Sequence, residues 1–154
     1  MNFLLQIITN KVLIVGVASW FLAQVFKTIS NLILTKKFSI ERLFGDGGMP
    51  SGHSATVSSL ATICALTYGL GSFEFAISGI LAVIVCHDAM GVRLEAGKHA
   101  KLLNILVDSF EKFSKKDLPE VVLKEFVGHT PLQVITGIIL GIFCAIGMHF
   151  FIFV

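Results

Sequence analysis

Charge is what this chain lacks most. Only 14% of its 154 residues are Asp, Glu, Lys or Arg, against about 25% in an ordinary soluble domain. With 55% hydrophobic residues and a mean hydropathy of +0.85, it is expected to be an integral membrane protein of one domain, residues 1–154. Cysteine is scarce as well. Cys64, Cys86 and Cys144 are odd in number and sit inside apolar runs, so they make no disulfide framework and read as small hydrophobes. The five histidines show no H-x-x-E-H or H-E-x-x-H spacing and there is no cysteine pair, which argues against a metal centre. A net charge of +2 is too weak to suggest a nucleic-acid partner. No internal repeat or low-complexity segment appears. The first apolar stretch lacks the basic lead and small-residue cleavage site of a removable leader.

What is there is a series of apolar runs at membrane length. Val12–Leu34 provides 23 residues with Lys27 as the only charge, about 34 Å of helix for a bilayer core of about 30 Å. An ammonium at that depth either snorkels to the interface or faces a polar cavity, and the second choice makes Lys27 a candidate site residue. Ser54–Leu70 is a second span. The turn Tyr68-Gly69-Leu70-Gly71-Ser72 leads into a third, Phe73 to about Val92, interrupted near its end by His87 and Asp88. From Lys98 to Phe113, Leu102, Leu103, Leu106, Phe110 and Phe113 share one helical face opposite Lys101, Asn104, Asp108 and Glu111. That pattern predicts an amphipathic helix on the membrane surface or against the bundle. Asp117-Leu118-Pro119-Glu120 has capping-box form for a short helix that Gly128 closes, and Thr130-Pro131-Leu132-Gln133 is a second box opening the last span to Val154. The expected fold is therefore all-α: a polytopic helical membrane bundle of about four transmembrane helices plus an amphipathic interfacial helix.

Topology then gathers the polar residues. With four spans, the first loop and the long segment before the last span share one side of the membrane. They hold Lys36, Lys37, Arg42, Arg93, Lys98, Lys101, Lys112, Lys115, Lys116 and Lys124, ten of the twelve basic residues. The positive-inside rule makes that side cytoplasmic and both termini extracytoplasmic. Ser51, Gly52, His53, Asp88, Arg93 and His129 belong to the same side, and Lys27 lies toward it.

The densest chemistry is Gly47-Gly48-Met49-Pro50-Ser51-Gly52-His53-Ser54, a glycine-rich turn directly before an apolar run. A helix starting there aims unpaired N–H groups and the positive end of its dipole into an uncrowded loop, a place that binds phosphate. His53 adds a group able to move a proton near neutral pH. On these residues alone a plain Ser51 helix cap with an interfacial histidine is an equal reading. His129 stands beside a second helix start. Should the two starts pack side by side, both imidazoles face one anion, with Lys27 and Arg93 to neutralise it. That set suits phosphoryl transfer without metal or cofactor. Asp88 reads better as an ion-pair partner of Arg93 than as a water-facing helix end. Lys98, His99 and Asn104 read as a solvated face rather than as head-group contacts. His87 and His149 read as structural.

Pro50-Ser51-Gly52-His53 resembles the PSGH signature of the type 2 phosphatidic acid phosphatase superfamily, which includes the vanadium-dependent haloperoxidases. Together with Asp88-Ala89-Met90-Gly91-Val92-Arg93 and Gly128-His129-Thr130-Pro131-Leu132-Gln133-Val134, it resembles more narrowly the divergent bacterial and plant branch, over nearly the whole chain. The resemblance implies that His53 is the general acid, that Ser51 and the Gly52 backbone hold phosphate oxygens, and that His129 is the nucleophile. In the superfamily an aspartate four residues after that histidine orients it. Here that position is Gln133, leaving Glu125 or Asp88 as other carboxylates to tune His129. The superfamily's arginines also do not align, because Leu34 lies seven residues after Lys27 and Leu123 six before His129. Lys27 and Arg93 are the stand-ins, with Lys124 behind them.

The activity expected is hydrolysis of a lipid or prenyl phosphate monoester at the cytoplasmic leaflet, with phosphatidylglycerophosphate or phosphatidate as fitting substrates. The alternative is a membrane protein that binds or carries lipid phosphates without turnover, which the uncharged Gln133 favours. Membrane lipids are the surrounding partner, and a bundle this thin leaves room for protomers to pair.

Overall fold

The computed structural model describes residues 2–36, 48–114, 123 and 128–153. Six helices occupy them: α1 (Phe3–Ile8), α2 (Lys11–Thr35), α3 (Gly52–Tyr68), α4 (Phe73–Met90), α5 (Val92–Ser114) and α6 (Pro131–Phe151). Among the described residues no strand occurs. The molecule is a helical membrane bundle, as the apolar runs required.

Of the long helices, α2, α3, α4 and α6 start where a polar side chain takes up an orphan N–H. The Asn10 side chain accepts the Leu13 N–H at 3.1 Å, Ser51 Oγ accepts the Ser54 N–H at 3.3 Å, and Ser72 Oγ accepts the Phe75 N–H at 3.1 Å. Gly69, at φ 88°, ends α3 in a conformation that side-chain-bearing residues avoid. The expected α3–α4 hairpin therefore forms through the expected turn.

α3 is the centre of the bundle, packed against α2, α4 and α6. The bundle is inside out relative to a soluble protein. Its buried polar residues include Ser19, Gln24, Lys27, Ser51, Ser54, Ser58, Ser59 and His129, while Val17, Phe21, Ile80, Val83, Ile135 and Phe143 point outward. Such a surface is stable only where the solvent is lipid. Several of the buried hydroxyls bond to backbone carbonyls. Ser59 Oγ donates to the Thr56 carbonyl at 2.7 Å, and Ser58 Oγ reaches across to the Ile138 carbonyl at 3.2 Å.

α6 approaches α3 almost backbone to backbone. A Cβ added to Gly137 would collide with the Ser51 carbonyl, and one on Gly141 with the Ala55 carbonyl and Ser58 Oγ. Ala145, one turn further along, is fully buried. Small residues at this four-residue spacing let membrane helices pack closely without a hydrophobic driving force between them.

Among the described residues, three stretches are long and apolar enough to cross a membrane: Lys11–Ile33, Phe73–Phe110 and Pro131–Phe151. The expected second span, α3, has 17 residues, about 25 Å at 1.5 Å per residue. Being central, it needs less apolar surface than the helices around it. The other boundaries shift. α4 stops at Met90 rather than Val92, and the amphipathic helix starts at Val92 rather than Lys98, directly after Gly91. Leu102, Leu103, Leu106 and Phe110 are about half exposed and Phe113 almost wholly, so the apolar face of α5 lies open rather than against the bundle. α1 had no sequence signal. The helix expected from Asp117 lies outside the described residues, as do Glu125 and Lys124.

Candidate functional site

The two helix starts meet. The Ser51 N–H, just before α3, donates to the Gln133 carbonyl in the first turn of α6 at 2.9 Å. This bond and the Gly137 contact beneath it set the two N-termini side by side, and the dipoles of both helices add at that point. The rings of His53 and His129 consequently face each other with centroids 6.3 Å apart and planes tilted by 57°, near enough for one phosphoryl group to touch both.

His129 is held from three directions. It is 2% exposed. Its N–H donates to the Ala89 carbonyl at the end of α4, at 3.1 Å. A Cβ on the preceding Gly128 would collide with the backbone of Arg93 and Leu94, so glycine is what lets this loop rest on the start of α5. The third constraint is Gln133. Its Oε1 accepts the Thr130 N–H at 3.1 Å and lies 3.2 Å from His129 Nδ1, while Thr130 Oγ1 accepts the Gln133 N–H at 3.4 Å. The capping box fixes the amide with its oxygen toward Nδ1. An oxygen there pairs with a protonated Nδ1, so that in the neutral ring the lone pair is on Nε2. Gln133 thus occupies the orienting position, without the charge of an aspartate.

His53 differs. Its side chain is exposed and stands at a cleft of about 360 Å³ lined otherwise by Gly16, Val17, Trp20, Thr56, Val57 and Val85. These residues come from α2, α3 and α4, so an apolar crevice runs down from one of the paired imidazoles. Ser51 is fully buried, and Gly52 opens α3. The Gly52 and His53 N–H groups, in the first turn, have no acceptor within the helix.

The two candidate cations are not equivalent. Lys27 is only 3% exposed. Its aliphatic stem passes under Gly48, where a Cβ would come within 2.9 Å of Lys27 Cγ and where φ is 110°. The snorkelling alternative is thereby replaced by a buried lysine beside the glycine turn. Arg93 pairs with Asp88, Nε to Oδ2 at 2.6 Å, and the two side chains are 47% and 39% exposed. The expected ion pair forms, and it is half exposed where Lys27 is buried.

Of the weaker candidates, Lys98 pairs with Glu95 at 2.7 Å on the exposed face of α5. Asn104 departs from the solvated-face reading. Its amide donates to the Leu123 carbonyl at 3.0 Å and accepts the Leu123 N–H at 3.1 Å, clamping that residue to α5. His149 meets Phe150 edge-on at the far end of α6. One polar residue of the site carried no sequence signal: Gln24, buried on α2 next to Gly52. Only its position three residues before Lys27, on the same side of the helix, could have pointed to it.

A bundle with lipid-facing apolar surfaces and its polar groups gathered where two helix starts touch is, as a class, a polytopic helical membrane protein with one internal polar site. More narrowly, the chain belongs to the divergent PAP2 family, whose pattern matches residues 8–144. It is 38% identical over 156 residues to an uncharacterized membrane protein of Bacillus subtilis (strain 168), YuiD, covering 96% of this chain and 99% of that one. No solved structure matches it.

Proposed function

We propose that this protein is a metal-independent phosphatase that hydrolyses a lipid or prenyl phosphate monoester from the cytoplasmic side of the membrane. The observation that carries the reading is the 6.3 Å pairing of His53 and His129 rings where the N-termini of α3 and α6 converge. Membership of the divergent PAP2 family supports the same chemistry.

In the reaction, the Nε2 lone pair of His129 attacks phosphorus as the P–O ester bond breaks on the opposite side. His53, entering as imidazolium, gives its proton to the departing alkoxide oxygen. The product of this half is a phosphohistidine and a free lipid alcohol. Neutral His53 then takes a proton from water, whose oxygen attacks phosphorus, releasing inorganic phosphate and returning both histidines to their starting states. The N–H groups of Gly52 and His53 and the ammonium of Lys27 oppose the charge on the equatorial oxygens. The apolar cleft below His53 receives part of the hydrocarbon chain, which keeps the reacting phosphate at the inner leaflet. Phosphatidate and phosphatidylglycerophosphate have the required form, a phosphate monoester on an acylated glycerol framework.

A second reading, binding of lipid phosphate without turnover, draws on Gln133, because an amide stabilises an imidazolium less than a carboxylate does. Phosphate release from phosphatidate by purified protein separates the two. Turnover by wild type that is lost in His129→Ala and His53→Ala supports the hydrolase; equal rates in all three proteins refute it.

A further inference from the structure

Beyond the paired histidines, Gln24 stands on the inner face of α2. Its side chain is 5% exposed, and Oε1 has no hydrogen-bond partner. A buried amide oxygen left unpaired destabilises a fold and persists where it serves something else. Among the described residues Ser19 Oγ is the other buried atom of this kind, but a serine hydroxyl can rotate to donate to a carbonyl of its own helix, whereas an amide oxygen cannot. Gln24 is therefore the case that needs an explanation.

Its location supplies one. Gln24 Nε2 lies 3.5 Å from the point a Cβ on Gly52 would occupy. Gly52 is the first residue of α3, with an N–H that the helix cannot satisfy. Lys27, one turn along α2, brings its stem against Gly48 on the same loop. The unpaired carboxamide thus lies beside the first residue of α3, and the lysine stem beside the loop that leads into it.

We propose that Gln24 is a ligand of the phosphoryl group. Nε2 donates to a phosphoryl oxygen held at the Gly52 N–H, and Oε1 accepts from the hydroxyl of a singly protonated phosphate. This assignment rests on the phosphate pocket proposed above and adds to it a neutral, two-way hydrogen-bonding group that distinguishes a phosphate monoester from an anion without a proton.

The chain has a single tryptophan, Trp20, and its Cδ1 lies 3.5 Å from that same Gly52 Cβ point, so its fluorescence reports on the site. The test titrates detergent-solubilised full-length protein with inorganic phosphate, and separately with short-chain phosphatidate, for wild type, Gln24→Leu and Gln24→Met. Thermal unfolding is recorded with and without saturating phosphate. Both apolar variants should weaken each ligand about tenfold, the scale of one hydrogen bond to a charged group. They should also melt higher than wild type when ligand-free, because the unpaired oxygen is gone, and gain less from phosphate. A residue with a purely structural role would lower the ligand-free melting point instead. Wild-type affinity in both variants overturns the role of Gln24 and leaves the pocket standing. An effect on phosphatidate alone overturns the contact to the phosphoryl group. Failure of wild type to bind either ligand removes the pocket and this proposal together.

Discussion

The two helix starts at the site are built for different tasks. The start of α6 is closed: Thr130 and Gln133 cap each other, with Pro131 in its first turn, and His129 is buried with its N–H and Nδ1 both engaged. The start of α3 is open. The Ser51 hydroxyl meets Ser54, Gly52 brings no side chain, and His53 stands exposed beside a cleft. A closed start holds one imidazole in one orientation; an open start leaves donors and an exposed ring for whatever arrives. On the proposed reading, nucleophile and receptor thus both follow from a helix N-terminus, according to how many of its orphan groups the protein satisfies itself.

Substitutions that break this asymmetry should rank accordingly. The largest effect falls on the closed start. His129→Ala should lower phosphate release from phosphatidate by on the order of 10³-fold or more, as loss of a covalent nucleophile does, while phosphate binding at the open start persists in Trp20 titrations. Next is Lys27→Met, which keeps the buried stem and removes the charge. It should reduce kcat/KM by on the order of 10²-fold, the scale seen when one preorganised stabilising group is deleted from a site. Arg93→Met should cost about tenfold or less by the same assay, because its charge is already met by Asp88 and half of its side chain is in solvent. Equal losses for Lys27 and Arg93 would put the arginine in the pocket rather than at its rim.

The smallest predicted effect sharpens the comparison instead of breaking it. Gln133→Glu keeps the length and the capping-box form and adds a carboxylate both to Nδ1 of His129 and to a helix N-terminus. Turnover should rise by about threefold, and the pH below which His129 is protonated should move up, read as a shift of the acid limb of the rate profile. An unchanged profile would mean that the side chain at position 133 only orients the ring and that a charge there is immaterial.

Much of this arrangement was legible in the residues because its determinants are local. The caps at Ser51, Ser72 and Thr130, the turn at Gly69 and the i,i+4 relation of His129 to Gln133 all follow from short-range geometry. Convergence of the two histidines was legible less directly, through hydropathy and the sidedness of basic residues. What escaped was non-local or uncharged. Gln24 sits in an apolar run with no motif around it, and its burial depends on which face of α2 meets α3. The close packing at Gly137 and Gly141 is written in a four-residue spacing that acquires meaning only with the partner backbone in place. The Asn104 clamp joins residues 19 apart in the chain, so no periodicity announces it. The boundary between α4 and α5 moved because Gly91 interrupts an otherwise continuous apolar-to-amphipathic stretch, and the change of pattern lags the break.

The account turns on one phosphorus atom answering to both imidazoles. Its most direct test is the structure of the protein with orthovanadate bound. Vanadium bonded to His129 Nε2, with its oxygens hydrogen-bonded to His53 and to the N–H groups at the start of α3, is the result expected. Vanadate held away from His129, or seated at the α3 start with His53 turned out of reach, would contradict it.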